Sequence, residues 1–516
     1  MSGSPKGTGP VPQYTHAHPV NILEQTSRFL ALLLFPLLRA LLSIFLSGGD
    51  LYLWLRGAWF DICILLLILG MGFAGWFRCV YRLEENGLRV RKGLAVARYR
   101  YLPYRKLSVL SVERPWYLIP FRAIRVRADT DGGTAALADF EMTIWSRELE
   151  PLCRMANAPF VRESEIKRVY LPRNFYIAVL SFVASNTLTG VLFISTFISG
   201  AGKVLGDQVE DLMMQQLTEL SRLLAFGIPP AAAALAIVIL GGWLVSFLLN
   251  LVRHMLFSAT RQGGSLHIRS GLLTRREYWL SVRRVNLIEL QQTLMTKLFG
   301  LYAAFIHCSG YGKGKDELSV LMPAAAEEEL ERNLELLMPE IPLCGPEIRP
   351  RLKFLTRFLI PPLGWILAVT LLWIGAFRMF KPINEMILYV GLMAEVPCVW
   401  YLLVKLVSFF HTGIGLSKNA YTFRYTYGYR IKTVAVPRER IVRVAVTQSL
   451  FQVMSGCCNV VVHTVSEGRK RHVIPNLDLR QALELLNLTD CYPPEQPGKQ
   501  KGKAVSALFK GRGRRH

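Results

Sequence analysis

The sequence predicts an α+β membrane protein built from three units, each a transmembrane helix hairpin followed by a small β-domain with a C-terminal helix. Three observations support this: long apolar segments, their grouping in pairs, and a basic, strand-patterned region after every pair. Hydrophobic residues make up 52% of the 516 residues, and the net charge is +24. That combination is typical of a multi-pass membrane protein with basic parts outside the bilayer.

The apolar segments are each long enough to cross a bilayer, which takes about 20 residues. They lie at 29–46, 59–77, 175–198, 228–251, 358–377 and 387–410. The predicted transmembrane hairpins accordingly span residues 28–77, 172–252 and 354–411. Lys and Arg outnumber acidic residues just after each pair, but not in the connections within the first two pairs, 47–58 and 199–222. Because basic segments stay on the cytoplasmic side, we predict a multi-pass protein of the cell membrane with both termini in the cytoplasm.

An internal repeat relates the regions that follow the hairpins. Three stretches align without gaps, at 103–122, 281–300 and 437–456. The aligned position that closes the repeat is occupied by Arg122, Gly300 and Gly456, and the two glycines are expected to serve a backbone conformation that other residues resist. Each copy begins with a strand hairpin, at 88–103, 265–281 and 420–437, and ends with an amphipathic helical pattern. The pattern predicts, for each copy, a small sheet or half-barrel plugged by one helix.

These copies resemble the bacterial PH-like domain of membrane-flanked proteins, the YdbS/YdbT-like family. The resemblance rests on a turn glycine, Val/Pro-x-x-Arg-Ile/Val, Gln-Ser/Thr-Leu, and Phe/Ser-Gly before a strand, found at 271–308 and 428–464. Copy one departs from it, since Glu113-Arg114-Pro115-Trp116 replaces the glutamine segment and Arg122 replaces the glycine. The resemblance implies PH-like domains on the cytoplasmic face at 78–160 (degenerate), 253–341 and 412–490. A polar tail, 1–27, and a basic tail, 491–516, flank the repeats.

No pattern of catalytic or metal-binding residues is visible in the sequence. The nine cysteines are scattered, without a CxxC pair or a Cys/His cluster at ligand spacing. The glycines at 310–315 lack the spacing and the terminal Lys-Ser/Thr of a phosphate-binding loop. We therefore predict a non-enzymatic protein with no cofactor and no metal.

Basic residues of the second and third copies are candidate contacts for anionic lipid headgroups or for a partner protein. Two glutamines are further candidates for these contacts. They occupy the same aligned position of the repeat, and each stands shortly before a pair of apolar residues. The candidate contacts are Arg275, Arg276, Arg283, Arg284, Gln292, Arg438, Arg440, Arg443 and Gln448. The arginines have an alternative role in topology and solubility near the membrane. The glutamines have an alternative role in satisfying backbone groups, with the apolar pair in the core, and the sequence favours this over a pair that enters the bilayer or grips a partner.

Glu395 is the candidate polar site within the membrane. It lies near the middle of the sixth apolar segment, where a carboxylate is costly and usually paired or functional. Arg39, inside the first apolar segment, is its candidate partner. A buried contact between the hairpins is the structural interpretation, and a proton or solute pathway is the functional one.

These patterns favour a scaffold or sensor whose PH-like domains contact anionic lipid or a partner protein. The resemblance suggests a smaller membrane protein with the same domain as the partner, and envelope maintenance or resistance to membrane-active compounds as the process. The alternative is a transporter or lipid-handling protein that uses the helix hairpins and Glu395. The basic tail favours anionic lipid ahead of nucleic acid as its ligand.

Overall fold

The computed structural model describes most of the chain between residues 14 and 487. The main stretches are 14–24, 51–93, 96–130, 138–157, 168–185, 230–308, 319–417, 419–465 and 471–487. Single residues and short pieces between them are also described, namely 26, 27, 29, 37, 41, 211, 214–216, 218, 219, 310 and 311. Most of the first and third apolar segments, Arg39 and the basic tail therefore lie outside the described residues.

The described helices include four that are long and apolar enough to cross a membrane: α1, α4, α7 and α8. The helices are α1 Leu51–Phe77, α2 Leu149–Asn157, α3 Asn174–Ala184, α4 Pro230–His254, α5 Leu294–Leu298, α6 Glu327–Leu337, α7 Leu355–Met379, α8 Asn384–His411, α9 Leu450–Ser455 and α10 Leu479–Leu485. The four long helices coincide with the second, fourth, fifth and sixth apolar segments. Helices α7 and α8 pack closely, since a Cβ at Gly391 would lie 2.3 Å from the Trp373 ring.

The strands follow the repeat. They are β1 Thr15–His16, β2 Val80–Glu84, β3 Gly87–Lys92, β4 Arg98–Pro103, β5 Leu107–Pro115, β6 Ala123–Thr130, β7 Phe140–Trp145, β8 Arg168–Tyr170, β9 Ser258–Gln262, β10 Ser265–Ser270, β11 Thr274–Ser281, β12 Val285–Gln292, β13 Leu301–Cys308, β14 Val320–Ala326, β15 Gly413–Leu416, β16 Ala420–Tyr427, β17 Arg430–Pro437, β18 Ile441–Thr447, β19 Cys457–Thr464 and β20 Arg471–Asp478. Unit one comprises β2–β7 and α2, unit two β9–β14 and α6, and unit three β15–β20 and α10. The predicted strand hairpins form as β3–β4, β10–β11 and β16–β17, and a helix follows the last strand of each unit.

The sheets extend across the boundaries between units. Their strand orders are β1-β2-β3-β4, β7-β6-β5-β11-β10-β9-β8, β14-β13-β12-β17-β16-β15 and β18-β19-β20. The last three strands of one unit therefore continue into the first three of the next. We call the β5–β11 pairing the first junction and the β12–β17 pairing the second junction. Each copy supplies the strands and the plugging helix that the sequence predicts, but its sheets are completed by its neighbour.

The two junctions have the same antiparallel register. Trp279 lies opposite Leu110 at the first junction. The residues aligned with them in the repeat, Ala435 and Ile288, lie opposite each other at the second. A slip of one residue would turn every side chain to the other face of the sheet. The shared register therefore means that one docking geometry is used twice.

Each junction also exchanges core residues between units. Val109 of unit one is buried in the core of unit two, and the aligned Leu287 of unit two is buried in the core of unit three. In the opposite direction, Trp279 packs against the core of unit one and Ala435 lies in the core of unit two. The hydrophobic effect that stabilises each unit thus depends on side chains from its neighbour.

The position that closes the repeat has a left-handed backbone in all three copies. The φ angles are 63° at Gly300 and 69° at Gly456, which confirms the predicted role of the two glycines. Arg122 adopts the same conformation with φ 53°. Copy one therefore keeps the backbone geometry of the repeat although it lacks the glycine.

Part of the polar N-terminal stretch belongs to the fold. Strand β1 pairs with β2, and the Trp76 indole N–H donates a 2.7 Å hydrogen bond to the Ala17 carbonyl. Arg125 forms a 2.6 Å ion pair with Glu24. Residues 14–24, within the stretch expected to be a tail, thus extend unit one.

Candidate membrane-contact surface

Each unit carries a short helical turn directly after its central strand. These loop helices are α5 after β12, α9 after β18, and the 3-10 helix Trp116–Leu118 after β5. Capping boxes start two of them: Thr293 with Thr296 in α5, and Ser449 with Gln452 in α9. The caps satisfy backbone groups that would otherwise be unpaired, so such short helices persist at the surface.

The two predicted glutamines make equivalent hydrogen bonds inside the fold. The Gln292 side-chain amide donates to the Leu301 carbonyl at 3.0 Å, and that of Gln448 donates to the Cys457 carbonyl at 2.8 Å. Each glutamine therefore ties the end of its central strand to the start of the next strand. This matches the backbone-satisfying interpretation, and a direct contact with lipid or a partner stays a prediction.

The loop helices present apolar side chains to the surface. Leu298 is 79% exposed in copy two, Phe451 is 72% exposed in copy three, and Trp116 is 63% exposed in copy one. The expectation that the apolar pair at Leu450 and Phe451 lies in the core is therefore wrong. Side chains of this size rarely cluster at a surface that faces only water.

The hairpin turn of unit two lies against the end of a membrane-length helix. The Gly271 N–H donates to the Met255 carbonyl at 2.7 Å, and the Leu272 N–H donates to the Val252 carbonyl at 3.1 Å. Because these carbonyls belong to the last turn of α4 and the residue after it, the turn is held at that end. The side chains of Leu272 and Leu273 are exposed there.

The hairpin turn of unit three also lies against a membrane-length helix, but it contacts the middle of α8 and not the end of the helix at His411. The Tyr429 ring packs edge-on to Tyr401 of α8 with centroids 5.6 Å apart, and its hydroxyl donates to the Pro397 carbonyl at 3.3 Å. Tyr427, on the other side of the turn, is exposed. A tyrosine can meet this part of the helix because its ring is apolar and its hydroxyl has a hydrogen-bond partner.

One contact between units joins a loop helix to a hairpin turn, and another contact joins a loop helix to a membrane-length helix. The backbone N–H of Trp116 donates a hydrogen bond to the Leu273 carbonyl at 3.1 Å. Arg357, near the start of α7, donates to the Phe451 carbonyl and to the Ser455 hydroxyl of α9. We call the exposed apolar side chains of these elements the apolar rim, which comprises Trp116, Tyr117, Ile119, Phe121, Leu272, Leu273, Met295, Leu298, Phe299, Tyr427, Tyr429, Leu450, Phe451 and Met454.

The predicted arginine contacts lie at two opposite ends of the strands. Arg275 and Arg276 lie at the start of β11, beside the apolar rim; Arg276 also lines a small pocket with Arg253 and His254 at the end of α4. The others lie at the far end, namely Arg283, Arg284, Arg438, Arg440 and Arg443. Because β11 has eight residues, the two ends are about 25 Å apart. Arg275 is exposed, whereas Arg276 is largely buried and faces Glu113. Contact of any of these arginines with lipid or with a protein stays a prediction.

A buried glutamate faces a basic residue of the next unit at both junctions. At the second junction, Glu289 forms an ion pair with Lys432 and lies 3.1 Å from the His307 ring nitrogen Nε2. Burial by itself raises the pKa of Glu289, but His307 and Lys432 outweigh it and hold the pKa well below its usual value. At the first junction, buried Glu113 lies 3.7 Å from Arg276, which is aligned with Lys432.

The carboxylate within the membrane helices has a described partner. The Thr370 hydroxyl of α7 donates a 2.6 Å hydrogen bond to Glu395 of α8. This bond links the two helices of the third hairpin. The proposed pairing with Arg39 stays a prediction because that residue lies outside the described part of the chain.

Glu395→Gln is expected to leave the melting temperature of the protein in mild detergent nearly unchanged. A glutamine carbonyl oxygen still accepts the bond from Thr370, whereas Glu395→Ala removes it and is expected to cost about 1 kcal/mol. Thermal unfolding of the two variants side by side measures this. A large loss in the glutamine variant would show that the charge of Glu395 contributes to stability. A glutamine variant that is folded but fully inactive would favour the transport class.

The comparisons with known proteins agree with the repeated architecture. A family model described as bacterial PH domain matches residues 29–170, 216–337 and 359–490. The chain is similar to the UPF0699 transmembrane protein YdbT of Bacillus subtilis (strain 168), with 22% identity over 290 residues. That alignment covers 52% of this chain and 58% of the relative. No solved structure matches the chain significantly.

Proposed function

Because the chain belongs to the bacterial PH domain family, with three copies over most of its length, we propose that it is a non-enzymatic membrane scaffold or sensor. Its PH-like units contact anionic lipid at the cytoplasmic surface through the apolar rim and the nearby arginines, and they contact a partner protein elsewhere. The observation that supports the lipid contact is the apolar rim, which lies beside the end of α4 and beside residues 397–401 in the middle of α8. Envelope maintenance or resistance to membrane-active compounds is the process that the resemblance favours.

The energetics favour insertion of the apolar rim into the bilayer surface. Burial of a side chain such as Leu or Phe stabilises the buried state by about 1.5–3 kcal/mol. Each basic residue held near an anionic surface adds about 1 kcal/mol, and this part is screened by salt. Exposed Arg275 lies beside the rim. The apolar term localises the rim whatever the headgroup, and Arg275 makes the contact prefer anionic lipid.

A cysteine introduced at Met454 is expected to be protected from a membrane-impermeant thiol reagent when the full chain is reconstituted in anionic vesicles. Met454 is 83% exposed in the protein itself, so protection requires the bilayer. Burial worth about 1.5–3 kcal/mol corresponds to at least roughly tenfold slower modification than in detergent without lipid. The rate is measured by mass spectrometry, with the parent chain as the background for native cysteines.

The matched control is Glu439→Cys, an exposed position at the far end of the strands, which is expected to react equally fast in both settings. In vesicles of neutral lipid, Met454→Cys should keep most of its protection from the thiol reagent. The part of the protection that is sensitive to salt should be absent there. Equal modification of both cysteines in anionic vesicles would rule out insertion of the rim at α9.

A further inference from the structure

Two strands of the kinds that pair at the junctions have no partner strand on one edge among the described residues. They are β4, at the end of the first sheet, and β18, at the end of the last. The repeat aligns β4 with β11 and β17, and it aligns β18 with β5 and β12. At each junction a strand aligned with β18 pairs with a strand aligned with β4. In the described part of the chain, one strand of each kind is thus left without its junction partner.

Strand β4 keeps the features that a junction uses. Tyr101 is aligned with Trp279 and Ala435, the residues that extend the core of the preceding unit, yet it is 51% exposed. Arg98 is aligned with Arg276 and is exposed. An exposed row of backbone groups flanked by aromatic side chains is a template for the addition of a strand.

Strand β18 has lost the features of its counterparts. Arg443 stands where Val109 and Leu287 enter the core of the next unit, and it is exposed. The aligned positions that hold the junction glutamates Glu289 and Glu113 are occupied in copy three by alanine and threonine. A charged side chain on an edge strand opposes further pairing. In a second copy of this chain, β18 therefore has no acidic residue at these two positions, and its Arg443 opposes pairing with β4.

We propose that β4 is a docking edge for the central strand of a PH-like unit on a different polypeptide chain. The fitting strand carries a carboxylate that faces Arg98 and an apolar side chain opposite Leu102, in the register of the two junctions. Charge complementarity selects this occupant, because both junctions pair a basic residue with a buried glutamate. The proposal adds the chemistry of the partner to the scaffold function above and does not depend on lipid binding by the apolar rim.

In the test, β18 of the full-length chain receives the residues of a junction strand. The altered β18 then serves as the probe for β4. The double variant Arg443→Leu with Ala445→Glu copies the pattern of Leu287 and Glu289 in β12. We expect the parent chain to be monomeric in mild detergent and the double variant to form head-to-tail oligomers in light scattering. Val444 is expected opposite Tyr101, so Val444→Cys and Tyr101→Cys on separate double-variant chains should form a disulfide.

The control substitutions are placed in β4 of the double variant. Tyr99→Pro removes a backbone donor from the edge, and Arg98→Glu opposes the new carboxylate, so each is expected to weaken association at least about tenfold. An unchanged melting temperature of each variant as a monomer shows that the fold is intact. A double variant that stays monomeric, or that associates regardless of the β4 substitutions, overturns the proposal.

The parent chain decides the identity of the occupant. If Tyr101→Cys and Val444→Cys in otherwise unaltered chains already cross-link, a second copy occupies β4 and the proposal of a different chain is wrong. The modification rate of Met454→Cys is measured in parallel, so a failure of lipid contact is seen separately from a failure of strand docking.

Discussion

Glu289→Gln is expected to destabilise the protein by about 3–5 kcal/mol, because it leaves the buried Lys432 ammonium without its counter-ion. The glutamine side chain is nearly isosteric, so packing changes little and the loss reports the charge. Thermal and denaturant unfolding in detergent measure the effect. Hydrogen exchange should show it first in β12 and β17, where the two residues lie.

The control for this substitution is Glu331→Gln on the exposed face of α6, which is expected to change stability by less than about 0.5 kcal/mol. Combining Glu289→Gln with Lys432→Met should recover part of the loss, since no unpaired charge then remains. A loss in the double variant equal to the sum of the two single losses would contradict a direct pairing.

The same pair predicts a dependence on pH with a definite sign. The pKa of Glu289 is lower in the folded than in the unfolded chain. Its contribution is therefore fully present above the unfolded value of about 4.3. It is lost as the pH falls below that value toward the folded pKa, so the stability gap between parent and Glu289→Gln should narrow under acid conditions.

Leu287→Ala is expected to lower the stability of unit three, although Leu287 belongs to unit two. Its side chain is buried in the cluster of unit three. Truncation of a buried leucine typically costs about 2–5 kcal/mol. Hydrogen exchange with mass spectrometry should therefore show lost protection in β16, β19 and β20.

The matched control is the next residue along the strand, Ile288, which is equally buried but belongs to the core of unit two. Ile288→Ala should remove protection mainly from β13 and β14. If both substitutions loosen the same unit, the exchange of core residues at the second junction does not determine stability as we infer.

The local features of the fold could be predicted from the sequence because their signals are local. Alternating side chains, turn glycines and amphipathic helical patterns lie within about 20 residues of each other. The sharing of sheets was not predicted because it depends on which edges meet far apart along the chain. One signal was available: Val109 and Leu110 are adjacent and both apolar, so both faces of the strand carry apolar side chains that must be covered.

The candidate surface was predicted less well, for a physical reason. The apolar pair at Leu450 and Phe451 resembles core sequence, but in the folded protein it faces outward beside the start of α7. The candidate contact arginines lie at opposite ends of strands that are eight residues long. Composition likewise hid the role of residues 14–24, whose polar side chains pair with unit one.

The two junctions have a mechanical consequence. Each is a ladder of backbone hydrogen bonds between units that follow consecutive pairs of membrane helices. Separation of neighbouring helix pairs would have to strain or break these ladders. We therefore expect the junctions to couple the movements of consecutive helix pairs.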